Sequence, residues 1–180
     1  ACQAIVMCID YRLAPEYPYP CGLNDCQYLL EHYSEMLDDH QFTQQLMIVG
    51  DSAGGAICTS LVMNNQCRDD ITIDKQILMY PSVDYTMTLP SCQENGQGFL
   101  LEAEKIAWYF EQYFEEAGTS DEVIKNTSPL LGEFSSKMPQ TLVITAGCDP
   151  LRDEGLAYID KLKANEVAVK HVHFDDMIHA

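Results

Sequence analysis

The sequence predicts an α/β fold built on a doubly wound, mostly parallel sheet, and three observations carry that expectation. Apolar runs of strand length recur along the chain with amphipathic stretches between them. Four of those runs are nearly continuous in apolar character, as expected of parallel strands covered on both faces. A Gly-x-Ser-x-Gly pattern sits where one run gives way to a helical stretch. Strand alternating with helix implies right-handed crossovers and parallel neighbours. At 180 residues, 47% apolar and 21% charged, the chain suits one domain with a buried core.

In chain order, Gln3 to Asp10 (QAIVMCID) reads as a strand, followed by a helical pattern over about 22–37. Leu46 to Gly50 (LMIVG) is the next strand and runs into a helix over about 53–67. Gln76 to Tyr80 (QILMY) is the third. About 45 residues then separate two strands, from Asp84 to Pro129, far more than a single crossover needs. The opening of that interval, Leu89 to Gly98, is turn-rich, and its helix at 101–116 carries Trp108, Tyr109, Phe110, Tyr113 and Phe114. Two readings of residues 85–129 stand: a long crossover with an aromatic core face, and an excursion contributing to a cap over the site. Thr141 to Gly147 (TLVITAG), a helix over about 152–164 and a last strand, Ala168 to Phe174 (AVKHVHF), complete the pattern.

Composition narrows the function classes. No apolar run approaches the roughly 20 residues that span a bilayer, so no stable membrane insertion is expected. The first residues lack a basic region ahead of an apolar core, so no signal peptide is expected. A start without Met, inside an apolar run, reads as a fragment or a processed product. A net charge of −18 disfavours nucleic acid and anionic lipid as partners, while a homo-oligomer is compatible with the sequence. Eight cysteines (2, 8, 21, 26, 58, 67, 92 and 148) contain no Cys-x-x-Cys pair, and several lie in apolar segments. They read as free thiols of a reducing, cytoplasmic compartment, not as a disulfide framework or a metal site.

The chemistry centres on Gly50-Asp51-Ser52-Ala53-Gly54-Gly55. A serine between strand and helix must take a sparsely allowed backbone conformation to lift its Oγ above the strand end. Side chains at Gly50 or Gly54 are expected to crowd that turn. The following helix aims its N-terminus at the site, so the Ala53 N–H can donate to an oxyanion. A serine hydroxyl is a poor nucleophile without a base oriented by an acid. Asp149 is the first carboxylate after TLVITAG, at the carboxyl end of a strand, where catalytic groups gather in open α/β sheets. It also suits the start of the helix after Pro150, in whose first turn Asp153 and Glu154 would assist the dipole. Among five histidines, His32 and His40 read as surface, and His171 and His173 as a half-buried pair on one face of the last strand. His179 comes after that strand and a short loop, Asp175 to Ile178, and is the candidate base.

Asp10-Tyr11-Arg12-Leu13-Ala14-Pro15-Glu16, the Gly50–Gly55 elbow, Asp149-Pro150-Leu151-Arg152-Asp153-Glu154-Gly155 and the closing Met177-Ile178-His179 together resemble the hormone-sensitive-lipase-like family of α/β-hydrolases. The resemblance spans the chain and implies a cytosolic serine carboxylesterase acting on short- to medium-chain acyl esters, with no metal and no organic cofactor. It implies Ser52 as nucleophile, Asp149 as acid, His179 as base, Ala53 as an oxyanion donor, and the Tyr11–Glu16 segment as a buttress. It also implies that the first strands, the His-Gly-Gly oxyanion loop and the last helix of the fold are missing. Amidase or deacetylase chemistry fits the same triad. The resemblance reaches plant gibberellin receptors as well, non-catalytic relatives that lack the histidine present here as His179.

Overall fold

A computed structural model describes residues 3–115, 117 and 120–180 of the 180. Cys2 falls outside the described residues. Four strands, β1 (Met47–Asp51), β2 (Lys75–Met79), β3 (Gln140–Cys148) and β4 (Val169–Ile178), form one sheet in the order β1-β2-β3-β4, every pair parallel. Helices α1 (Cys21–Met36), α2 (Ser52–Asn65), α3 (Pro90–Glu94), α4 (Ala103–Tyr113), α5 (Asp121–Thr127) and α6 (Arg152–Ala164) fill the intervals, with a 3-10 turn at Pro129–Leu131.

The core grows out of the period of two in β2 and β3. Gln76 and Leu78, then Thr141, Val143 and Thr145, alternate onto one buried face. α2 supplies Cys58 and Val62 to it, and α6 supplies Tyr158, Ile159 and Leu162. Gln76 is tolerated there because its amide donates to Thr141 Oγ1 and Tyr158 Oη. α1 packs Leu23, Cys26 and Leu30 against Ile57 and Leu61 of α2. At the head of α1, Arg12 forks onto Asp25 through Nε and Nη2.

Residues 3–10 do not form the expected strand. They carry no ladder bonds among the described residues, and Val6 is 78% exposed. Apolar character makes a segment fit for a sheet, but a strand exists only with a neighbour, and this run pairs with none of β1 to β4. The seven described cysteines are all free; Cys8 and Cys67 are exposed.

The long interval leaves and rejoins the sheet at one point. Tyr85 N–H donates to Ser128 Oγ, and Leu130 N–H donates to Val83 O. Within it, Phe114 is fully buried among Tyr85, Phe110, Tyr113 and Tyr19, against Ala56 of α2. The core face takes in only some of the rings of this segment, since Trp108 and Tyr109 lie half-exposed on the opposite side of α4.

Glu154 lies in the first turn of α6, as expected, but its side chain is engaged elsewhere. It turns into the protein, where its Oε1 accepts from Val83 N–H (2.6 Å) and Asp84 N–H (3.3 Å). Burial pushes its carboxyl well above the ordinary 4.5; the two N–H bonds oppose the rise, and the Asp84 and Asp149 carboxylates add to it.

Stability measurements check both the core and this carboxyl. Leu78→Ala, in a site with no exposure, is expected to cost about 2–5 kcal/mol by urea denaturation; a loss below about 1 kcal/mol would contradict the assigned core. Glu154 binds its proton more tightly folded than unfolded. Its contribution is therefore full below the ordinary 4.5 and is lost as pH rises through the higher folded value. Glu154→Gln keeps an acceptor for Val83 N–H and is neutral at every pH. Thermal melts across pH should show variant stability gaining on the parent as pH rises above that ordinary value, and a constant difference would contradict the assignment.

Candidate active site

Four strand ends meet on one side of the molecule, as the parallel order requires. β1 runs straight into α2, and Ser52 sits at the junction with φ of 48°. A non-glycine residue in that region stores about 1–3 kcal/mol and persists only where its surroundings determine it. Here the first turn of α2 folds back on the strand so closely that a Cβ on Gly50 would lie 2.3 Å from Gly54 O. Gly50 is thus the position the turn cannot fill. Gly54 is not: a Cβ there would meet Asp51 Oδ1 at 3.7 Å, an ordinary van der Waals contact.

Ser52, Asp149 and His179 come together. Asp149 is fully buried beyond β3; its Oδ1 accepts from Leu151 N–H (2.8 Å), and its Oδ2 lies 2.8 Å from His179 Nδ1. A carboxylate oxygen only accepts, so Nδ1 carries the proton. That leaves Nε2 as the acceptor for the Ser52 hydroxyl, 2.9 Å away. Ala53, second residue of α2, has an N–H with no carbonyl to reach within its own helix.

His179 comes directly after β4, since the strand continues through Ile178 where a loop was expected. The register explains how a strand carries it there. Ala146 pairs with Phe174 and Cys148 with Ile178, so three residues of β4 oppose the single Gly147. Such a bulge bends the strand and re-aims the residues beyond it. Gly147 makes it possible, because a Cβ there would lie 2.0 Å from Asp175 O.

The other histidines stay apart from this group. His171 Nε2 and His173 Nδ1 both bond Thr145 Oγ1 (2.8 and 2.7 Å), and burial holds His171 below its ordinary value. His40 is exposed and His32 half-buried, its Nδ1 on Tyr28 O (2.8 Å). Among the described residues no group of three or more His, Cys, Asp or Glu is arranged to hold a metal. Two clefts, of about 100 and 370 Å³, lie away from the three residues, by Tyr19 and Asn126 and by Met47 and Gln140.

Tyr80 is a neighbour that sequence reasoning missed. It has φ of 36° just past β2, and its ring lies 4.6 Å from the His179 ring, centre to centre. Partial burial, then Asp51 and Asp149, push its phenol up, so it stays neutral. The only signal in the sequence was its place at the carboxyl end of QILMY.

Comparison with known proteins places the family of the chain. The family model for the alpha/beta hydrolase fold matches residues 1–180. The ethyl acetate hydrolase of Pseudomonas putida is 34% identical over 170 residues, covering 92% of this chain and 52% of that protein. The carboxylesterase NlhH of Mycobacterium tuberculosis is 35% identical over 184 residues, 98% of this chain and 56% of its own length. An ester-hydrolase from the metagenome of Lake Arreo, solved with a bipyridine phosphonate derivative, superposes with a TM-score of 0.86 at 31% identity, covering 95% of this chain and 54% of that one. The chain spans about half the length of these relatives. With a parallel sheet, a serine elbow and a match along its whole length, the chain belongs to the alpha/beta hydrolase family.

Proposed function

We propose that the protein is a serine carboxylic-ester hydrolase acting on short- to medium-chain acyl esters through an acyl-serine intermediate. The observation that carries this reading is the unbroken pair of hydrogen bonds from Ser52 through His179 to Asp149, 2.9 and 2.8 Å. Ser52 Oγ attacks the ester carbonyl while His179 Nε2 takes its proton. Asp149 holds the ring in the tautomer with Nδ1 protonated and offsets the imidazolium charge. The carbonyl oxygen becomes an oxyanion in front of the α2 N-terminus, where Ala53 N–H donates to it. His179 returns the proton to the departing alcohol, and a water activated the same way releases the acid.

The names of the relatives support the same chemistry, since they are an ethyl acetate hydrolase and a carboxylesterase. The partner is then a small ester molecule. The charge of −18 argues against nucleic acid, and no described helix is long and apolar enough to cross a membrane. The seven free cysteines among the described residues support a cytosolic location. Residues 85–129 contribute to a cap on this reading, because α3 docks on the turn that carries Asp149 and so lies at the same strand ends.

An activated ester such as p-nitrophenyl acetate tests the reaction. A burst of nitrophenolate stoichiometric with the chain is expected, then slower turnover. Ser52→Ala should abolish the burst and lower turnover to background, a loss on the order of a million-fold where the whole machinery operates. Turnover that survives Ser52→Ala would refute the assignment.

A further inference from the structure

The reaction scheme leaves unused a segment that grips the acid turn from outside. Asn95 comes just after α3, is 8% exposed, and donates its Nδ2 to two carbonyls, Gly147 O at 3.2 Å and Asp149 O at 3.1 Å. Ser91 has no exposure. Its hydroxyl donates to Pro150 O (2.8 Å) and accepts from Asp153 N–H (3.0 Å), while its own N–H donates to Asp153 Oδ2 (2.9 Å). Arg152 completes the grip, with Nη1 on Gly147 O (3.2 Å) and Nη2 on Glu94 (2.7 Å). The short segment 91–95 therefore engages the turn at 147, 149, 150, 152 and 153.

The two Asn95 bonds fall on the carbonyls of the 147–148 and 149–150 peptides, which bracket Cys148 and Asp149. Holding both peptides restrains the backbone dihedrals of Cys148 and Asp149 between them, and with them the direction of the Asp149 Cβ. The carboxylate has little freedom to correct an error, because Oδ1 is engaged by Leu151 N–H and Oδ2 by His179. Asn95 itself is held: its N–H donates to Ser91 O (2.9 Å), and the next residue, Gly96, lies against Cys92 O, where a Cβ would come within 2.3 Å. A displacement of about 1 Å at a catalytic group costs on the order of a hundredfold in rate.

We infer that Asn95 is a positioning residue for Asp149, acting through the 147–149 backbone without touching the reacting atoms. The inference rests on the triad proposed above and deepens it, since it makes the excursion after β2 part of the machinery that aims the acid. A buried asparagine that merely satisfies two carbonyls would look similar in the structure, so the test must separate aiming from general support.

A double-mutant cycle does so. The rate of inactivation by a fluorophosphonate would be measured for the parent chain, Asn95→Ala, Asp149→Asn and the double variant. Asn95→Ala is expected to slow the parent by about 10- to 100-fold, yet to slow Asp149→Asn by less than about twofold, because the group being aimed is already compromised. An equal slowing in both backgrounds, or none in the parent, would overturn the inference. If Asn95→Ala does not melt cooperatively, Asn95→Leu takes its place, keeping close to the volume while removing both donors and adding no charge. Failure of the triad itself shows separately, in Asp149→Asn alone: a parental rate there would sink the proposed function and this inference with it.

Discussion

A single backbone dihedral anchors the arrangement: the positive φ at Ser52, where β1 becomes α2. Two things must hold for it to persist. The helix must start without a spare residue between strand and first turn, and the strand must leave room for the returning backbone. Gly50 satisfies the second, since any side chain there would collide with the Gly54 carbonyl. With the turn so closed, the serine hydroxyl stands at the strand end, and the free N–H groups of the first helical turn face the same space. A relaxed φ would turn Oγ away from His179 and shift Ala53 N–H with it, so the proposed nucleophile and oxyanion donor are set by one torsion.

The rest of the sheet brings partners to that point. Parallel pairing places the ends of β1, β3 and β4 on one side, but pairing alone does not deliver His179, because a regular β4 would leave it off the register it needs. The bulge opposite Gly147 supplies the difference. Burial of Asp149 has its own requirement, since a carboxylate removed from water needs hydrogen-bond donors. Leu151 N–H and His179 Nδ1 provide them, so the acid is stable where it sits only while the base is in place. Around this group the acid turn is tied to the segment after β2 by Glu154, Ser91, Asn95 and Arg152. Glu154 fastens Val83 and Asp84 to α6 through a buried carboxyl held above its ordinary range.

Much of this was legible in the sequence, and the limits have physical causes. Strand and helix periods located β1 to β3, α1, α2 and α6 to within one or two residues, because core burial imposes those periods on the apolar positions. Gly-x-Ser-x-Gly and the carboxylate after TLVITAG are local patterns, and the structure brings Ser52, Asp149 and His179 within hydrogen-bonding reach. What was lost depends on contacts distant in sequence. Residues 3–10 are as apolar as a strand, but pairing is decided by neighbours. Residues 175–178 look like a short loop after Phe174, yet the strand passes through a bulge there and resumes pairing at Ile178. Glu154 reads as a helix-start carboxylate, and only the loop after β2 turns it inward. Trp108 and Tyr109 share a helix with Phe110 but not its buried side.

The central claim is that Ser52, His179, Asp149 and Ala53 N–H form one working unit around the elbow. A crystal structure of the chain after reaction with a phosphonate ester tests it most directly. The account predicts phosphorus bonded to Ser52 Oγ, the phosphoryl oxygen within about 2.7–3.1 Å of Ala53 N, and the His179–Asp149 hydrogen bond intact beside the adduct. Phosphorus on any other residue, or a phosphoryl oxygen turned away from Ala53, would contradict it.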